Sequence, residues 1–158
     1  MEERTERTLV ILKPDAVQRG LIGPILTRLE QRGLRFAALK LMQVSRELAE
    51  EHYGEHRGKD FYPGLIEFIT SGPVVVAVVE GNCAIQVVRD TMGKTHPKDS
   101  TPGSIRADFG LMKGRNLIHG SDGPESAKKE IARFFAETEV LSYRRAIDNW
   151  IEEPAGPG

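Results

Sequence analysis

The segment Asn116-Leu117-Ile118-His119-Gly120-Ser121-Asp122 ends an apolar run on a histidine and continues through small polar residues into Gly123-Pro124-Glu125. Proline at a first helical position with an acid beside it marks a helix start, where free N–H groups and the dipole favour anions. Neutral imidazole, with an ordinary pKa of about 6.5, is a nucleophile at neutral pH and can capture a nearby phosphate without a separate base. The local pattern fits a structural histidine bonded to a loop equally well.

Two other motifs fail on inspection. Gly93-Lys94-Thr95 looks like the end of a P-loop, but the pattern needs a glycine where Val88 stands, and His96-Pro97 breaks the helix that should follow. His52-Tyr53-Gly54-Glu55-His56 matches a zinc-protease spacing of two imidazoles at i and i+4. A glycine interrupts that helix and no third ligand is evident, so both histidines are expected to be solvated.

The elements that must position His119 follow from periodicity. Thr8 to Leu12 reads as a buried strand ended by a turn at Lys13-Pro14-Asp15, and Ile22 to Arg32 as an amphipathic helix stopped by Gly33. Leu34 to Val44 is strand-like, although a helix could carry it. Ser45 is an N-cap for a helix from Arg46 to Tyr53, and a second short helix is expected from Pro63 to Ile69. Pro73 to Glu80, rich in valine, is the clearest strand, followed by a helix from Ala84 to Met92. Gly93 to Arg115 has no clean period and is about twice the usual connection length. Asn116 to His119 is expected as a last strand, then a helix to Phe135, a small helix from Ser142 to Trp150, and a loose tail over 152–158. Four strands with flanking helices make an α/β or α+β sandwich, and patterning alone does not order the strands.

Charge and composition exclude several classes. Twenty-two Lys and Arg against 23 Asp and Glu give a formal charge of -1 and no whole-domain basic footprint, so nucleic acid is not an expected partner. The one cysteine, Cys83, excludes an internal disulfide and any all-cysteine metal cluster, and accords with a reducing compartment. The charged start lacks the apolar core of a signal peptide, and no run approaches the roughly 18 apolar residues of a membrane span. A cytoplasmic chain forming one domain over 1–158, with its core at about 7–150, is expected.

Beyond these local signals, NLIHGSDGPESAKKE resembles the active-site signature of the nucleoside diphosphate kinase family. Similarity extends through TLVILKPDAVQRGLIGPIL, HYGEHRGKDFYPGLIEFITSGPVV and PGSIRADFGLMKGRN, covering about residues 7 to 150. The resemblance implies a ferredoxin-like α/β sandwich of the α+β class, with a four-stranded antiparallel sheet on a βαββαβ core. It implies reversible ping-pong transfer of a γ-phosphoryl group from a nucleoside triphosphate such as ATP to a nucleoside diphosphate through a phosphohistidine. Mg²⁺ would be bound through the nucleotide phosphates, with no metal held by the protein itself.

Residue by residue, the match makes His119 the nucleophile and Glu130 the holder of its other ring nitrogen. Tyr53 and Ser121 match residues at the γ-phosphate and near the glutamate, completing a catalytic set with Lys13. Lys13, Arg89, Thr95, Arg106 and Asn116 match phosphate and ribose ligands, while Phe61 and Leu65 match the pair that sandwiches the base. Stacking reads every base's π face, so broad nucleotide tolerance is implied. Lys113 departs from the family, which usually has an apolar residue there beside the base, and Gly123 stands where many relatives have serine. Residues 45–71 are implied to form a helical hairpin beside the cleft, and Gly93 to Arg115 to pack subunits into a homo-oligomer, a hexamer rather than a tetramer. A ferredoxin-like module that only binds nucleotide or nucleic acid is the competing reading, opposed by the acidic pI of about 6.4 and by the His119 and Glu130 match. An inactive relative is opposed by the filled catalytic positions.

Overall fold

The computed structural model describes residues 5–154. β1 (Thr5–Leu12) leads through the short helix α1 (Pro14–Gln18) to α2 (Ile22–Gln31), β2 (Arg35–Met42), α3 (Arg46–His52) and α4 (Tyr62–Ile69). Then come β3 (Val74–Asn82), α5 (Ala84–Met92), α6 (Ile105–Phe109), β4 (Ile118–Gly120) and α7 (Pro124–Phe134). The four strands lie in the order β2-β3-β1-β4, and every neighbouring pair is antiparallel. This is the implied ferredoxin-like sandwich and excludes a doubly wound parallel sheet.

β1 and β3 form the centre and are apolar on both faces, which explains the valine run of β3. Side chains alternate across a strand, so Val10, Leu12, Val75, Ala77 and Val79 join one core with Ala16, Ile25, Leu29, Val88 and Met92. Leu9, Ile11, Val74, Val76 and Val78 join a second core with Ala49, Ile66, Ile69 and Phe134. The register Ile11↔His119 puts the histidine on the second face, under α3 and α7. Gly120 packs closely under α5: a Cβ there would lie 2.7 Å from Met92 Sδ and 3.0 Å from Val88 Cγ1, so any side chain would push those groups aside.

Several expectations are corrected. Lys13-Pro14-Asp15 is not a bare turn: Pro14 and Asp15 open α1. Gly93 to Arg115, which shows no clean period, is built of short elements: 3₁₀ turns at Pro97–Asp99 and Lys113–Arg115 around α6, whose N-cap Ser104 accepts from the Ala107 amide. Gly93 starts this segment at a φ of 91°, where Ser104 and Ser100 hydroxyls occupy the space a Cβ would need. The small helix before Trp150 is a 3₁₀ turn, Ala146–Trp150. Glu152 is tied to Arg35 at 3.2 Å and is no part of a loose tail, and residues 155–158 lie outside the described residues. Ser45 caps α3 as expected, its hydroxyl accepting from the Leu48 amide at 3.1 Å.

Candidate active site

His119, Glu130, Lys13, Tyr53, Arg89, Thr95, Arg106 and Asn116 line one cleft of about 810 Å³. A smaller groove of about 610 Å³ near Ile85, Ile131 and Phe135 contains none of these eight residues. Sheet register delivers His119, and α7 delivers Glu130. On that helix Ala127 and Phe134 are buried, three residues before Glu130 and four after it, so the carboxylate shares the inward face.

His119 Nε2 lies 2.6 Å from Glu130 Oε1, and the Ser121 hydroxyl donates to the same oxygen at 3.0 Å. Ser121 is fully buried and accepts from the Leu9 amide at 3.3 Å, which fixes it between β1 and α7. An ionised carboxylate only accepts, so Nε2 carries the proton and Nδ1 keeps its lone pair. Nδ1 has no hydrogen-bond partner among the described residues. Burial pushes the Glu130 carboxyl up, but the hydrogen bond from His119, the positive charge that ring carries when protonated, and the Ser121 hydroxyl outweigh burial and hold it below its ordinary value.

The opposite wall is cationic. Arg106 is buried and donates to the carbonyls of Asn116 at 3.1 Å, Gly93 at 3.2 Å and Ile118. Burial first, then Arg89, lowers its pKa to about 10, which leaves it charged at neutral pH. Lys13 Nζ donates to Asn116 Oδ1 at 2.8 Å, and Asn116 Nδ2 donates to the Thr95 carbonyl at 2.9 Å. Burial, followed by Arg106, lowers Lys13 to about 8 against an opposing pull from Asp15. Arg89 reaches the Gly120 carbonyl at 3.4 Å. Tyr53 is raised to about 12, by burial and then by Glu130, and stays a neutral phenol. Such a set suits an anion with several oxygens.

Four expected residues do not line this cleft: Phe61, Leu65, Lys113 and the fully buried Ser121. Phe61 is 53% exposed and its ring lies 5.3 Å from that of His56, a cleft residue, which places it at the outer rim. Leu65 follows one turn later on α4, its amide bonded to the Phe61 carbonyl at 3.1 Å. Lys113 is exposed in its 3₁₀ turn.

Sequence reasoning missed His52, which is no solvated helix residue. Its ring stands edge-on to His119 at 5.1 Å and to Phe134 at 5.4 Å, and Nδ1 lies 3.2 Å from Arg133 Nη1. Burial, then the neighbouring His119, lowers its pKa to about 3, so it is neutral at pH 7 and accepts from Arg133 at Nδ1. Spacing three residues after the buried Ala49 is the signal that could have placed it inward. His56 sits in a 3₁₀ turn beyond the end of α3, so the two imidazoles do not share one helix face. Among the described residues, no group of three or more His, Cys, Asp or Glu side chains is placed to hold a metal ion.

A histidine held at one nitrogen by a carboxylate faces a cationic wall on an antiparallel α/β sandwich, an arrangement suited to phosphoryl chemistry. Comparison with known proteins names the family. The nucleoside diphosphate kinase family model matches residues 6–140. The chain is 66% identical over 146 residues to a nucleoside diphosphate kinase of Thermomicrobium roseum, covering 92% of this chain and 98% of that one. It is 59% identical over 148 residues to that of Herpetosiphon aurantiacus, covering 94% and 99%. Among solved structures, a halophilic nucleoside diphosphate kinase from Halobacterium salinarum in complex with CDP superposes with a TM-score of 0.92 at 49% identity, covering 95% of this chain and 100% of that one. A family protein from Babesia bovis gives 0.90 at 41% identity, covering 93% and 99%. The chain belongs to the nucleoside diphosphate kinase family, and its activity is transfer of the γ-phosphoryl group of a nucleoside triphosphate to a nucleoside diphosphate.

Proposed function

We propose that this transfer runs through His119 Nδ1, with Glu130 and Ser121 as its support and the cationic wall as the phosphate site. The observation that carries the reading is the bond between Nε2 and Glu130, which leaves Nδ1 as the ring nitrogen with an unengaged lone pair. Nδ1 attacks the γ-phosphorus, the bond to the β-phosphate oxygen breaks, and the diphosphate leaves with that electron pair. The phosphorylated ring keeps its Nε2 proton on Glu130, whose carboxylate balances the imidazolium charge. A second diphosphate then attacks the phosphohistidine along the reverse path.

Transfer of this kind depends on positioning and charge neutralisation. Arg89 and Arg106 neutralise phosphate oxygens, Lys13 and Asn116 hold ribose hydroxyls and the transferring group, and Thr95 and Tyr53 donate hydroxyl bonds. Phe61 and Leu65 clamp the base at the rim, with Lys113 beside it. Mg²⁺ suits this arrangement when carried by the nucleotide: the wall around Lys13, Arg89 and Arg106 is made for phosphate oxygens rather than for a cation. When bound with the nucleotide, the ion would neutralise negative charge on the phosphate oxygens.

The same reading makes the chain one cytoplasmic domain that assembles as a homo-oligomer, a hexamer rather than a tetramer. Supporting assembly, β2 is an edge strand with Leu39 and Leu41 50% and 63% exposed. No helix of the described residues is long and apolar enough to cross a membrane. The reading is tested by phosphate exchange between ATP and GDP in the natural chain and in His119→Ala. Exchange should disappear in the variant, and a variant that still exchanges at the natural rate contradicts the assignment.

A further inference from the structure

Leu117 is fully buried and has a φ of 73°. A leucine rarely adopts this left-handed conformation, because its Cβ crowds the backbone carbonyl. Something must hold the turn, and both polar groups of Leu117 are held from the same short segment. The Lys13 amide donates to the Leu117 carbonyl at 2.8 Å, and the Leu117 amide donates to Asp15 Oδ2 at 3.1 Å. The β1–β4 ladder ends at Leu12↔Ile118, so these two bonds lie immediately beyond it.

The turn separates two parts of the site. On one side is Asn116, bonded to Lys13 Nζ and the Thr95 carbonyl; on the other are Ile118 and His119. Arg106 grips the carbonyls of both Asn116 and Ile118, straddling the turn. Were Leu117 to relax to negative φ, Asn116 would swing away from Lys13 while the ladder kept His119 in place.

We infer that Asp15 is a positioning residue for phosphoryl transfer, holding Leu117 in its left-handed turn so that Lys13 and Asn116 stand in register with His119. Asp15 is not among the residues that line the cleft. The inference rests on His119 as the phosphoryl carrier. Asp15 has a second effect, through charge. The charged groups acting on Lys13 are Arg106, which lowers its pKa, and Asp15, which raises it. Removing the carboxylate charge therefore moves Lys13 below about 8, so its protonated form is lost at lower pH. Asn at this position keeps an acceptor for the Leu117 amide but not the charge, so Asp15→Asn separates the two effects.

The experiment is rapid-quench phosphorylation of the full chain by γ-labelled Mg·ATP across pH 6 to 10, with ATP binding measured separately by equilibrium dialysis. Asp15→Ala should transfer about 10- to 100-fold more slowly at pH 6.5, with a smaller loss of ATP affinity and the same final label on His119. Asp15→Asn should recover most of the rate at pH 6.5 and lose it at lower alkaline pH than the natural chain. Asp15→Glu, which keeps the charge but displaces the acceptor, should be slow with its alkaline limb unmoved, and it carries the test should Asp15→Ala not fold. A natural rate in Asp15→Ala or Asp15→Glu, or an Asp15→Asn as slow as Asp15→Ala, overturns the inference. If the natural chain carries no label on His119, the underlying mechanism fails instead.

Discussion

His119 Nε2 stands 2.6 Å from Glu130 Oε1, and that contact decides which nitrogen of the ring is free to act. It also makes the glutamate's effect separable from nucleotide binding, because Glu130 meets His119 and Ser121 and not the cationic wall. Glu130→Gln should lower the rate of phosphohistidine formation about 10- to 100-fold, with nucleotide affinity close to natural. Single-turnover kinetics alongside equilibrium binding measure the split, and a loss confined to affinity would place Glu130 in the binding site.

His52 and Glu130 should leave distinct marks on acid stability. Burial and His119 hold His52 at about 3 against an ordinary value of 6.5. Between those values the unfolded chain binds a proton that the folded chain does not, so stability is lost as pH falls through this window. Glu130 is also depressed, but from 4.5, so its contribution is lost only below that value. Urea unfolding at pH 7 and pH 5 should therefore show a loss that His52→Phe reduces by about 1–2 kcal/mol. An unchanged pH dependence in His52→Phe would mean that His52 protonates freely in the fold.

The rim should tune base choice weakly. A long cation beside the proposed base site can approach guanine O6 and N7, both acceptors, whereas adenine and cytosine present an amino donor. Lys113 is exposed, so screening keeps the preference for GDP over ADP and CDP below about fivefold in kcat/KM. That preference should shrink in Lys113→Val, and an equal preference in both chains would show that the ammonium points into solvent.

Assembly should depend on the segment from Gly93 to Arg115. Pro97 is buried within the protomer, packed where a Cβ on Gly110 would lie 2.8 Å from its Cγ. Pro97→Ser should loosen this packing and shift sedimentation toward smaller species. A fully active natural chain that sediments as a monomer at micromolar concentration would remove the assembly claim.

Much of the scaffold was legible because its signals are local. The valine run of β3, the Ser45 cap and the Pro124 helix start each act within a few residues, and each stands where expected. Strand order was not legible from patterning, since β1 and β3 are apolar on both faces and periodicity cannot tell which strands adjoin them; family resemblance supplied it. α6 was missed because glycines and prolines around it mask one short turn, although the Ser104 cap with Ile105 and Phe109 at i and i+4 was a usable signal. Asp15, His52 and the left-handed Leu117 were missed because their roles arise from contacts across the fold, 102 residues apart for Asp15 and Leu117.

The most direct measurement is the chemical identity of the phosphorylated residue after brief incubation with γ-labelled Mg·ATP. Peptide mapping and phosphorus NMR should place one acid-labile, alkali-stable phosphate on His119, attached at Nδ1, and none in His119→Ala. Phosphate at Nε2, which Glu130 occupies, or label persisting on Ser121 or any other residue in that variant, would contradict the account.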